Sequence, residues 1–144
     1  GSLILAHIDP MPPSGGGNIH IYRIDAAKGD AAAQLALARC LASGSGIAKN
    51  QSAALRWFKA AADQGLPEAQ FSVGMRFQRG EGAKPDKVTA ADYLLRAANQ
   101  GHRGAQTNVA ECYMLGEGVE ENRKEGLRWH RLAAEAGGRG FPLT

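Results

Sequence analysis

A disulfide scaffold, a membrane span and a zinc cluster are all excluded by what this 144-residue chain has little of. It carries two cysteines, and aromatic residues make up 6% of it. Two cysteines cannot staple a small secreted scaffold. No run approaches the ~20 apolar residues that a membrane-spanning helix needs. The four histidines, His7, His20, His102 and His130, include no i, i+4 pair, and there is no Cys-x-x-Cys, so no metal site is expected. The formal charge of +3 is small and dispersed. Its densest basic stretch, Arg76, Arg79, Lys84 and Lys87, is broken by Glu81 and Asp86. Such a stretch reads as a solvated mixed-charge face and not as a nucleic-acid tract. No charged-then-apolar leader is visible, and Gly1-Ser2 has the form of a cloning remnant, so the natural start is not legible.

What the chain has in quantity is alanine and period. Gly29–Gln64, Gly65–Gln100 and Gly101–Ala136 align without a gap as three 36-residue copies. Seven columns are identical in all three: Gly29, Ala33, Gln34, Gly44, Gly46, Ala61 and Ala62 with their counterparts at +36 and +72. A period in this range marks stacked repeats, where each unit buries its apolar face against its neighbours. Cys40 and Cys112 share one column of repeats 1 and 3, too far apart to pair under the ~7 Å Cα limit.

Each copy reads as two helices. In repeat 1, Asp30 is placed as N-cap for Ala31–Ser43, and Pro67 opens the same helix in repeat 2. Ala33, Leu37, Ala38 and Leu41 form one buried stripe. Gly44-x-Gly46 then ends the helix and turns the chain. With no strand before it and no lysine-serine or lysine-threonine after it, this triplet is a turn and not a phosphate loop. Asn50, Asp86 and Asn122 are N-caps for the second helices, and Glu125 is spaced from Asn122 for a capping box. Ala54, Trp57, Phe58 and Ala61 make the second buried stripe. The predicted helices are 18–28, 31–43, 51–64, 67–79, 87–100, 103–115 and 123–136.

These columns resemble the Sel-one-like repeat, a tetratricopeptide-related alpha/alpha solenoid. The resemblance rests on Ala33-Gln34, Leu37-Ala38, Leu41, Gly44-x-Gly46-Ile47, Asn50, Ala54, Trp57-Phe58 and Ala61–Gly65, and it covers residues 29–137. Departures are Ala83 after the second glycine turn, Gly126 in the Ala54 column and His130 in an aromatic column; the last two predict a looser repeat 3. The resemblance implies an all-α fold, a right-handed superhelical solenoid of three helix-turn-helix repeats with an N-terminal capping half-repeat. Some extracytoplasmic relatives bridge their helix pairs with disulfides, and that cysteine pairing is missing here.

The period divides the chain into an arm and Ser/Gly linker (1–17), a half-repeat helix (18–28), repeats 29–64, 65–100 and 101–136, and a tail (137–144). The half-repeat is recognised by Ile21-Tyr22-Arg23, 36 residues before Trp57-Phe58-Lys59. Within the arm, Leu3–Pro13 is apolar and proline-rich, and Ser14–Gly17 has linker composition. The arm is expected to dock on apolar repeat surface, in its own molecule or on a second copy. The unpaired Cys40 and Cys112 lean slightly toward a reducing, cytoplasmic compartment, and removal of a leader would leave a periplasmic or secreted location open.

The expected function is an adaptor or scaffold that holds a peptide or partner domain on the concave face, with no catalytic residues and no cofactor. On the tetratricopeptide comparison that face is lined by Leu35, Arg39, Glu68, Phe71, Met75, Gln78, Thr107, Glu111 and Met114. Leu35, Phe71 and Met75 form its apolar centre, or else stack between repeats. Cys40 beside His20 or His102 is the one conceivable nucleophile and base. Its column holds Arg76 in repeat 2, which predicts an exposed, permissive position. The alternative is a structural or regulatory segment of a larger signalling or secretion protein. An enzyme acting on cell-wall or antibiotic substrates is a more distant reading, implied only by some relatives.

Overall fold

The computed structural model describes residues 19–137; the arm, the linker and residues 138–144 lie outside the described residues. Seven α-helices run α1 (Ile19–Ala27), α2 (Ala31–Ser43), α3 (Gln51–Asp63), α4 (Pro67–Arg79), α5 (Lys87–Asn99), α6 (Arg103–Leu115) and α7 (Arg123–Gly137). There is no strand among the described residues. Each helix packs mainly on the one before and the one after it. The architecture is an all-α stack of helix pairs.

Local chemistry starts each helix where the period places it. Asp30, Asn50, Asp86 and Asn122 accept from the backbone N–H three residues on, at 3.0–3.1 Å. The bond from Thr89 holds the Asp86 carboxyl below its usual range. Pro67 opens α4 without a side-chain cap. The expected capping box does not form. Glu125 turns to Arg128, whose Nη2 donates at 2.9 Å, and the Asn122 N–H donates to the Tyr113 carbonyl at 2.8 Å.

Two features let the helices approach closely. Ala38, Ala54, Ala61, Ala69, Ala90, Ala97, Ala105 and Ala110 have no solvent exposure, and their small side chains bring neighbouring axes together. The second glycine of each turn does the same for the loops. It has positive φ, and a Cβ on Gly82 would stand 2.6 Å from the Gln51 carbonyl oxygen; on Gly118 it would collide with the Lys87 carbonyl. The turns of repeats 2 and 3 therefore seat on the first turn of the preceding repeat's second helix, an approach only glycine permits.

A polar ladder runs through this apolar stack. Gln34, Gln70 and Gln106 are buried, and each donates Nε2 at 3.2 Å to the carbonyl of Ala26, Ala62 or Ala98 at the end of the preceding helix. Gln64 and Gln100 then donate to the Oε1 of Gln34 and Gln70 at 2.9 and 2.8 Å, and to the carbonyls of Gly29 and Gly65 at 2.9 Å. Three successive helices are thereby tied at each rung. In repeat 3 the corresponding position is Ala136, and Gln106 Oε1 has no partner among the described residues.

Three packing expectations are corrected. Trp57 is half-buried, whereas its column partners Tyr93 and Trp129 are 7% and 5% exposed. Tyr93 is covered by α3, where its hydroxyl donates to Asp63 at 3.1 Å, whereas the same column holds Ala27 on α1, which offers Trp57 no such partner. Cys40 and Cys112 are buried, not exposed, because their column packs toward the preceding helix pair. Arg76 in the same column is half-buried too, its guanidinium 4.9 Å from the Phe58 ring centroid and 2.6 Å from Gln51 Oε1. Nor does Gly126 loosen repeat 3: the Met114 thioether lies where a Cβ at Gly126 would project.

The orphaned Gln106 acceptor predicts a gain from one substitution. Ala136→Gln should restore the third rung and raise stability by about 1 kcal/mol, a few degrees in Tm. Thermal melting followed by circular dichroism checks it; an unchanged Tm would show that Gln106 is satisfied otherwise.

Candidate functional site

The first helices of the repeats, α2, α4 and α6, carry the residues expected to meet a partner. The structure brings several of them together in a line crossing all three repeats. Arg39 Nη2 on α2 lies 3.9 Å from Glu68 Oε2 on α4. The other Glu68 oxygen is 2.6 Å from His102 Nε2. His102 in turn caps α6, its Nδ1 accepting from the Ala105 N–H at 3.0 Å. That bond leaves the imidazole hydrogen on Nε2, where it donates to Glu68. Phe71 stacks on the same imidazole, with ring centroids 4.5 Å apart and planes 24° from parallel. A side chain at Gly104 would press on the Phe71 ring at 3.3 Å, so glycine makes room for it.

Phe71 is thus held by the next repeat, yet it is only half-buried, as are Leu35 and Met75. A hollow of about 270 Å³ opens beside it, lined by Phe71, Ser72, Met75, Arg76, Arg79 and Glu81. Leu35 packs on the α2–α3 core. Gln78 turns toward α6, its amide 3.8 Å from Cys112 Sγ. Thr107 and Glu111 are exposed, and Thr107 Oγ1 donates to the Arg103 carbonyl of its own helix. Met114 is half-buried over Gly126, away from the Phe71 hollow.

His102 is the residue that sequence reading missed. It was counted among scattered histidines, although it stands in the Asp30 column, the N-cap column, and that register was the available signal.

The thiols offer little reactivity. Burial raises the pKa of Cys40, and burial followed by Glu117 and Glu111 raises that of Cys112, so both stay protonated at neutral pH. Among the described residues no three His, Cys, Asp or Glu side chains are grouped to hold a metal. No described helix is long and apolar enough to cross a membrane.

A stack of helix–turn–helix pairs in which the same columns are buried in successive units defines an α/α repeat fold. The Sel1 repeat pattern matches residues 31–66, 67–102 and 104–138, and the chain belongs to the Sel1 repeat family. It is similar to a Sel1 repeat protein from Oxalobacter formigenes, with 32% identity and a TM-score of 0.77, over 85% of this chain and 92% of that one. It is also similar to c5321, a protective antigen of uropathogenic Escherichia coli, with 36% identity and a TM-score of 0.79; the match covers 83% of this chain but 26% of that one. Helicobacter pylori cysteine rich protein B shares the fold at 20% identity, with a TM-score of 0.66 over 85% of this chain and 88% of that one. None of the curated proteins matches the chain. Proteins built from these repeats are generally scaffolds for protein–protein interaction.

The cap and the stack converge on one histidine, which makes His102→Ala informative. It should cost about 1–2 kcal/mol, from the lost N-cap and aromatic contact. His102→Asn should recover the cap portion only. Chemical denaturation of the two variants separates the contributions.

Proposed function

We propose that this chain is an adaptor that holds a protein segment against the exposed face of α2, α4 and α6, centred on Phe71 and Met75. The observation that carries the reading is the half-exposed Phe71–Met75 pair beside an open hollow whose edge bears Arg76, Arg79 and Glu81. Such a site gives an apolar side chain a seat and nearby polar groups a charge to meet, the usual anatomy of a hot spot with a polar rim. Leu35, Arg39, Glu68, Thr107 and Glu111 extend the face to either side. Gln78 and Met114 are engaged within the stack and serve as its floor.

The densest basic stretch, Arg76–Lys87, does not suit nucleic acid. Arg76 is committed to Phe58 and Gln51, and Lys87 lies 3.3 Å from Glu117. Catalysis is also disfavoured, since burial holds both thiols protonated and the carboxylates near Cys112, Glu117 and Glu111, raise its pKa further. A second reading, a repeat segment working inside a larger protein, draws on the match to c5321, where this chain corresponds to about a quarter of the length.

The test uses a photo-crosslinking residue at position 75, and another at position 92 on the exposed side of α5. A defined partner should crosslink from position 75 and be lost on Phe71→Asp, with helicity retained. Crosslinking from position 92 that survives Phe71→Asp would overturn the assignment of the face.

A further inference from the structure

At the N-terminal end of the stack lies a second opening, remote from the Phe71 face. It is a cavity of about 390 Å³ lined by Arg23, Leu37, Leu41, Ile47, Ala53 and Trp57. That volume falls in the ~300–1,000 Å³ range of sites that enclose a ligand. The period shows why it is there. In repeats 2 and 3 the Gly-x-Gly turn seats on the first turn of the preceding second helix, Gly82 on Gln51 and Leu55, Gly118 on Lys87 and Ala91. For Gly46 the counterpart of that first turn in the period is residues 15–19, of which Ile19 alone is among the described residues. Described helix α1 begins at Ile19, the Leu55 position, and the three residues Gly15-Gly16-Gly17 fall where Gln51-Ser52-Ala53 would be.

We propose that residues 3–13 of the same chain occupy this cavity, with Ile8 and Met11 as the inserted side chains and Asp9 beside Arg23. Three observations select this occupant. The cavity is apolar along Leu37, Leu41, Ile47 and Trp57, and the segment Leu3–Pro13 is apolar to match. Arg23 is its charged lining residue, and Asp9 is the segment's one acidic group. α1 supplies Arg23 to the lining, and the five residues 14–18 ahead of its first described residue reach at most about 17 Å. That tether places the arm at an effective concentration in the millimolar range, so a weak apolar contact stays occupied.

Trp57 reports on the cavity without labelling. Trp129 is 5% exposed, so acrylamide quenching of the unmodified protein reads Trp57. In the intact chain quenching should be weak. Deletion of residues 3–13, and separately the full-length double variant Ile8→Asp/Met11→Asp, should raise the quenching constant about two-fold or more while circular dichroism stays helical. A synthetic peptide of residues 3–13 added to the deletion variant at millimolar concentration should lower it again. Equal quenching in all three proteins, with arm amides exchanging like free peptide, would overturn the proposal. So would protection of Trp57 that disappears on dilution together with a dimer in sedimentation velocity, because a second copy would then be the occupant.

Discussion

Everything in this stack depends on closing polar groups inside an interior built largely of alanine. Helix ends leave carbonyls without intrahelical partners, and the ends of α1, α3 and α5 are pressed against the next helix pair. Gln34, Gln70 and Gln106 answer that demand, each taking the Ala26, Ala62 or Ala98 carbonyl as acceptor. A buried acceptor left alone costs about 1–3 kcal/mol, so the glutamine is worth more than its net hydrogen bond suggests. Alanine and glycine set the spacing at which this bond can form, and the glutamine fixes the register at which the next repeat docks. Leucine in this column would fill the space and orphan the carbonyl.

The face toward a partner follows from the same geometry. With the glutamines and alanines turned into the stack, the opposite side of α2, α4 and α6 carries residues that the fold does not require to be any one type. Leu35, Phe71 and Thr107 share a column, as do Arg39, Met75 and Glu111. Only repeat 2 combines large apolar groups in both columns. The line Arg39–Glu68–His102 with Phe71 stacked on the imidazole stiffens this middle region across three repeats. A rigid, partly exposed ring loses less entropy on binding than a free one.

Fold and register were legible because the period repeats every chemical signal three times. N-cap columns, glycine turns and alanine stripes agree in phase, and the helices fall within about one residue of the positions they imply. Individual side chains were less legible, because their surroundings come from the neighbouring repeat. Trp57 belongs to the same column as the buried Trp129 but is half-buried, because the residue of α1 in the Asp63 column is Ala27. Cys40 looked permissive from the arginine in its column, and the structure shows that Arg76 instead reaches out of a packed interface to Phe58 and Gln51. Met114 fills the space over Gly126, a pairing visible only when both positions of one repeat are read together.

The central claim is that one glutamine in each of repeats 1 and 2 couples three helices. Native-state hydrogen exchange on Gln70→Met tests it most directly, since methionine keeps the volume and removes both amide bonds. The account predicts a loss of about 2 kcal/mol or more, with protection falling together in α3, α4 and α5, the helices joined through Ala62 and Gln100. A loss below about 0.5 kcal/mol, or one confined to the first turn of α4, would contradict it.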